Sequence, residues 1–208
     1  MSVSTVPISI VDRVIVFDYG EVISRTPSER DRADLVAVAG VPDAAFWGPY
    51  WAHREGLDQG TIGIREYWRL VAADLGVEFS ESRIQQLWVA DYTGWISIEP
   101  NVFDIISALD AGGCRIALLS NAGFDFSSPL RSSPISRLFE RVFVSAELGL
   151  VKPDPKIYLE VARELGISPA EMVFIDNKQE NVDAAVALGA SGHRFTTPAL
   201  LRSFLESF

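Results

Sequence analysis

Five groups of residues in this 208-residue chain have the types and spacing that chemistry could use: Asp18-Tyr19-Gly20-Glu21-Val22, Ser120-Asn121, Lys152 in GLVKPDP, Asp176-Asn177 and Glu180. Apart from Glu180, each stands at or just beyond the end of a short apolar run. Brought together, they would form a polar crevice able to hold a small anion, provided a metal ion and the lysine reverse the carboxylate charge locally. Taken singly, each has an ordinary reading. Asp18 or Asp176 could cap a turn, Ser120 and Asn121 could bond to nearby backbone, and Lys152 could be a solvated loop charge.

The elements that must position them decide between these readings. RVIVFD from Arg13, RIALLS from Arg115, RVFVSA from Arg141 and MVFID from Met172 are continuously apolar and rich in β-branched residues, which marks strands buried on both faces. IEPNVFDIISALDAGG, DPKIYLEVARELG and NKQENVDAAVALG have helical spacing, and each ends in a glycine suited to a C-cap. Strands alternating with helices predict an α/β fold, a Rossmann-like parallel sheet with helices on both faces, whose ligand sites lie at the carboxyl ends of the strands. Capping roles do not require four polar groups to share that edge. A fifth, weaker strand is expected at HRFTT, after Gly192.

Segment 27–97 contains no comparable strand run. Its periodicity predicts four helices, near SERDRADLVAVAG, DAAFWGPYWAHREG, IREYWRLVAADLG and SESRIQQLWVADY. The expected organisation is therefore a catalytic core of 1–26 and 98–208 with an inserted helical cap of 27–97.

Composition narrows the partners. Hydrophobic residues make up 48% of the chain and charged residues 22%, as in an ordinary globular protein. The net charge of -10 opposes binding to nucleic acid and to anionic lipid. The lone cysteine, Cys114, cannot form an internal disulfide, and its setting is apolar. No basic region precedes the first apolar run, which Asp12 and Arg13 interrupt, and no stretch reaches membrane-spanning length. These features predict a cytoplasmic protein. With two histidines, His53 and His193, at no ligand spacing, a zinc site is not expected.

The order hhhhDxxxV, hhhhSN, Lys-Pro-Asp-Pro and hhhDNxxxNVxxA resembles the four motifs of the haloacid dehalogenase superfamily over nearly the whole chain. The insertion after the first motif resembles that of the subclass with a helical cap. The stretch from Leu138 through ELGLVKPDPKIY to IDNKQENVDAA is most similar to small sugar-phosphate phosphatases, including the α-glucose-1-phosphatase type. The resemblance implies a magnesium-dependent phosphatase acting on a small phosphorylated metabolite. It makes Asp18 the nucleophile that forms an aspartyl-phosphate, and makes Asp18, Asp176 and the Gly20 carbonyl the magnesium ligands. Ser120 and the backbone near Asn121 would hold phosphate oxygens, and Lys152 would neutralise the transferring group.

Two positions depart from the pattern. Phosphatases of the superfamily commonly carry an acid two residues after the nucleophile, where this chain has Gly20. That removes a proton donor worth about 10²- to 10⁴-fold. Glu21 is a substitute only if the chain has already turned, since strand alternation would aim it away from Asp18. Asn177 replaces a frequent second Asp and is expected to hold Lys152 or Asp176. Glu180, four residues after Asp176, would face the same side if a helix began there.

Most cap aromatics, among them Trp47, Tyr67, Trp68, Trp88, Tyr92 and Trp95, are expected to pack between helices. Trp51, His53 and Arg54 are the candidates for contact with the leaving group. Two other functions fit the same residues. A haloacid dehalogenase would use Asp18 on carbon without metal, but related dehalogenases carry a Ser-rich sequence where this chain has Asp176. A binding protein that has lost turnover is supported mainly by Gly20.

Overall fold

The computed structural model describes residues 6–208; the reading of the first residues as carrying no leader falls partly outside that range. Strands β1 (Val14–Phe17), β2 (Arg115–Ser120), β3 (Arg141–Val144), β4 (Met172–Asp176) and β5 (Ser191–Arg194) form one parallel sheet in the order β3-β2-β1-β4-β5. Alternation along each central strand divides its side chains between two apolar layers. Ile15, Phe17, Ile116, Leu118, Val173 and Ile175 enter one, while Val14, Val16, Ala117, Leu119, Met172 and Phe174 enter the other. Burial on both faces explains why these strands read as unbroken apolar runs.

Helices α6 (Pro100–Ala111) and α11 (Pro198–Leu205) cover the first layer with Val102, Ile105, Ile106, Leu109, Leu201 and Leu205. On the opposite face, α9 (Pro155–Leu165) and α10 (Gln179–Ala187) supply Ile157, Val161, Leu165 and Ala185. Two shorter helices, α7 (Phe124–Ser132) and α8 (Ser145–Leu148), follow β2 and β3. Cys114 is half-buried, with its sulfur hydrogen-bonded to the backbone of Ile8 and Ile10.

The fifth strand starts earlier than expected. Its ladder to β4 begins at Ser191 opposite Val173, and Thr197 instead caps α11. An edge strand is defined by pairing more than by hydrophobicity, so the sequence located it two residues late. Gly192 is required there, because a Cβ would lie 2.5 and 2.6 Å from Val186 and Val182 of α10.

Between β1 and α6 the chain forms five helices: α1 (Glu29–Ala39), α2 (Asp43–Ala52), α3 (Arg54–Gln59), α4 (Ile64–Asp74) and α5 (Glu81–Ile96). The expected single helix over DAAFWGPYWAHREG is two. His53 leaves helical geometry at φ -107° and ψ 1°, and its ring is held 2.7 Å from Asp74 of α4. A tertiary contact thus interrupts a locally continuous helical pattern. The insertion has a core of its own, built on Phe46, Tyr50, Tyr67, Trp68, Val71 and Leu87. Among the described residues, no helix is long and apolar enough to cross a membrane.

Candidate active site

Strand register assembles the site. Phe17 pairs with Ile175 on one side and Leu118 on the other, so Asp18 and Asp176 emerge side by side, with Ser120 one residue farther along β2. Lys152, in the turn between α8 and α9, reaches across this edge. Its Nζ donates to Asp18 Oδ1 at 2.7 Å, Asp176 Oδ2 at 2.7 Å and the Leu119 carbonyl at 3.0 Å. All three ammonium protons are therefore used. All three charged side chains are buried, which is tolerable only because they are paired and hydrogen-bonded.

Burial, and then the neighbouring Asp176, push the Asp18 carboxyl up to about 6, with Lys152 opposing. For Lys152, burial disfavours the charge, but Asp18 and Asp176 outweigh it and hold the ammonium above the usual lysine range. Two carboxylates sharing one ammonium leave a net negative centre. Further positive charge would be stabilised there.

The surrounding amides take partners within the site. Asn121 does not present its side chain to the cleft as a free donor; it accepts from the Lys152 N–H at 2.9 Å and donates to the Lys152 carbonyl at 3.0 Å. Asn177 holds neither Lys152 nor Asp176. Its Nδ2 donates instead to Glu21 Oε2 at 2.8 Å. Glu180 is exposed on α10. Lys178 is the N-cap, so non-helical residues intervene and the side chain that returns to Asp176 is Asn181, donating from Nδ2 at 3.0 Å. Sequence reasoning gave Asn181 no role, although it is the second Asn of the fourth motif and a polar residue on the buried face of a helix.

Glu21 does reach the cleft. The chain turns directly after Gly20, and Glu21 takes left-handed backbone at φ 57°. Ser120 is buried and lines the same cleft, whose volume is about 430 Å³. Its opposite wall comes from the helical insertion, with Trp51, Arg54, Asp58 and Trp95. Of the three residues expected there, Trp51 and Arg54 line the cleft and His53 turns away to Asp74.

Behind that wall lies a polar chain. Tyr50 donates to Asp91 Oδ1 at 2.7 Å, and Arg54 Nη1 donates to Asp91 Oδ2 and to the Tyr50 hydroxyl, both at 3.1 Å. Asp58 Oδ1 lies 3.3 Å from Arg54 Nε, close enough for an ion pair but poorly aligned, so this atom receives no hydrogen bond. Burial pushes the Asp58 carboxyl up to about 6, against the pull of Arg54 and Lys178. Ser145, which the sequence did not single out, ties the insertion to the sheet. Its Oγ accepts from the Ala122 N–H at 2.9 Å and donates to the Asp58 carbonyl.

Among the described residues, no three His, Cys, Asp or Glu side chains form a cluster that could hold a metal. A cation here would take two carboxylates, Asp18 and Asp176, with backbone and solvent oxygens completing its shell. Such an all-oxygen set suits a hard ion. The buried Asn181 Oδ1 has no hydrogen-bond donor, and a metal-bound water would supply one. The donor set and this orphaned acceptor both fit a magnesium ion.

A parallel sheet with an acid–lysine–acid cluster at its carboxyl edge, roofed by helices, places the protein among α/β folds whose ligand site lies at the strand ends. Residues 14–189 match the haloacid dehalogenase-like hydrolase family, and the chain belongs to it. It is a hydrolase, and its relatives include phosphatases. A sesquiterpene phosphatase from Aspergillus oryzae is 25% identical, over 88% of this chain and 90% of that protein. A phosphoglycolate phosphatase from Salmonella choleraesuis is 34% identical over 43% of this chain, a match spanning 36% of that protein. The fold is shared with a family enzyme from Bacteroides thetaiotaomicron, solved with magnesium and inorganic phosphate. That chain has a TM-score of 0.69 and 22% identity, with coverage of 88% here and 94% there.

Proposed function

We propose that the protein is a magnesium-dependent phosphatase of small phosphorylated metabolites, with a catalytic core of 1–26 and 98–208 and a substrate-selecting cap of 27–97. The observation that carries this reading is Lys152 bridging Asp18 and Asp176 inside the cleft. A lysine so placed holds one carboxylate ready as nucleophile and offsets the charge of an incoming phosphate.

In the reaction, an oxygen of Asp18 attacks phosphorus and the P–O bond to the alcohol breaks, leaving an aspartyl-phosphate and an alkoxide that must gain a proton. Water then attacks phosphorus, and inorganic phosphate leaves with Asp18 restored. Ser120 and the backbone at Asn121 hold phosphate oxygens. Asp18, Asp176 and the Gly20 carbonyl would hold magnesium, which supplies positive charge to the transferring group.

Gly20 offers no proton to the departing oxygen. Weakly basic leaving groups are favoured as a result, such as the anomeric oxygen of a sugar 1-phosphate or an aryl oxygen. Glu21, fixed by Asn177, is the cleft carboxylate nearest in sequence.

The deciding experiment is phosphate release from a metabolite panel with and without magnesium. Metal-dependent release from monoesters is expected. Halide release from 2-haloacids that persists in chelator would favour a dehalogenase, and binding without any turnover would favour an inactive binding protein. The acidic surface and lone Cys114 support a cytoplasmic protein that engages neither nucleic acid nor membranes.

A further inference from the structure

The cleft has a neighbouring chamber. A second hollow of about 120 Å³ opens within the insertion, and Glu21, Trp51 and Trp95 line both spaces. Its remaining wall includes Leu35, Trp47 and Tyr50 together with Asp31, Arg32 and Asp91. Trp47 and Trp51 stand one helical turn apart and so share a face of α2. The Tyr50 ring packs edge-on against Trp51 at 4.8 Å between centroids and against Trp47 at 5.4 Å. Trp51 remains 53% exposed despite its size. Aromatic surface of this kind, left open beside a catalytic cleft, is where a ligand gains most from leaving water.

Several polar groups of the chamber are already committed. Asp91 accepts from Tyr50 and Arg54, one bond to each oxygen. Asp31 accepts the backbone N–H and hydroxyl of Ser28, and the Arg32 guanidinium lies 4.4 Å over the Trp47 ring. The indole N–H groups of Trp47 and Trp95 donate to Asp43 and to the Tyr50 hydroxyl. A polyol laid against the ring faces would lose its water and find no partner there, at a cost for each unpaired hydroxyl. An apolar group has no hydrogen bonds of its own to give up there.

We propose that this chamber receives the apolar body of the leaving group, so that the substrate is the phosphate ester of a hydrophobic alcohol or phenol. The proposal rests on the phosphatase reading and deepens it by naming the chemistry of the leaving group's body. Size sets the limit. An apolar cavity of about 150 Å³ accepts a benzene-sized guest, so the chamber holds one six-carbon ring or a short branched chain, and a longer group extends past Arg32 towards solvent.

Primary alkyl phosphates from ethyl to octyl share nearly the same leaving-group basicity, so their kcat/KM values isolate burial from chemistry. The expected result is a rise of about fourfold per methylene, the factor given by about 0.8 kcal/mol for each buried CH₂, levelling near six carbons. Two plugs, Ala90→Phe and Gly94→Val, should cut the hexyl-to-ethyl ratio at least tenfold; a Cβ at Gly94 has room, its nearest contacts being 3.5 and 3.6 Å. A parent series that is flat with chain length overturns the proposal, whether or not the plugged variants fold.

Binding of phenol, read by quenching of tryptophan fluorescence, needs no turnover. Saturable quenching in the parent that competes with hexanol supports the chamber, and its absence overturns it. If phenol binds but no ester is hydrolysed, the phosphatase reading fails and the chamber stands.

Discussion

Asn121 grips Lys152 by its backbone, with the Asn121 amide accepting from the Lys152 N–H at 2.9 Å and donating to the Lys152 carbonyl at 3.0 Å. The lysine turn is thereby fastened to the end of β2, and Nζ is aimed between Asp18 and Asp176. Asn121→Ala should lower kcat about 10- to 100-fold, the cost of a misplacement on the order of 1 Å. KM should change less. Steady-state kinetics that show an unchanged kcat would remove Asn121 from the positioning of Lys152.

Asp18→Asn is expected to reduce phosphate release to background while leaving the fold intact, because an amide is no nucleophile. Its thermal stability at neutral pH should equal or exceed that of the metal-free parent. The reason is electrostatic: burial and Asp176 have pushed the Asp18 carboxyl up to about 6, so its ionised form is disfavoured in the fold. Circular dichroism melts together with phosphate assays check both statements.

Lys152→Ala leaves two buried carboxylates facing each other without a counter-ion. Breaking a buried ion pair in this way costs about 3–5 kcal/mol, and saturating magnesium should restore part of that loss. Asp176→Ala should instead raise the magnesium concentration needed for half-maximal activity, since one hard oxygen ligand is gone. Melting curves and activity titrations with magnesium distinguish the two variants. Identical metal responses would mean that their roles are misassigned.

Gly20→Asp can be built without strain. Gly20 is not among the positive-φ glycines, and an added Cβ would touch only Trp95, at 3.8 Å. The new acid should accelerate alkyl esters, by up to about 10²- to 10⁴-fold, and flatten the dependence of log rate on leaving-group pKa. A parent that already shows a flat dependence would mean that another acid, Glu21 or a cap residue, protonates the leaving oxygen.

Asp58 provides a pH test of the insertion. Burial pushes its carboxyl up from 3.8 to about 6, against Arg54 and Lys178. The folded state therefore binds this proton more tightly than the unfolded state, and the associated stability is present below pH ~4 and lost as pH rises through about 6. Asp58→Asn should gain on the order of 3 kcal/mol over the parent above pH 7 and nothing below pH 4. Equal stability differences at both pH values, measured by urea unfolding, would show that the Asp58 carboxyl does not carry this shift.

The sheet was legible because central parallel strands are buried on both faces, and their unbroken apolar runs can hardly be read otherwise. The residue types at the strand ends, Asp18, Ser120, Lys152 and Asp176, were legible for the same reason: a polar group ending such a run has few places to go but the carboxyl edge of the sheet. What could not be read was pairing. Asn177 to Glu21 depends on a left-handed turn at residue 21, and Asn181 to Asp176 depends on α10 starting at Gln179 and not earlier.

By itself, the sequence determined the order of strands and helices and the chemical groups available at the sheet edge, since hydrophobic periodicity and local stop signals are properties of neighbours along the chain. Tertiary structure alone decided which partner each group took. It broke the helix at His53 to bring Arg54 and Asp58 against the cleft, and left Trp51 and Trp95 open to a chamber while Tyr67 and Trp68 went to the core. Contacts between residues distant in sequence depend on register, helix starts and packing angle, and a shift of one residue in any of these redirects a side chain by about 100° on a helix or to the opposite face of a strand.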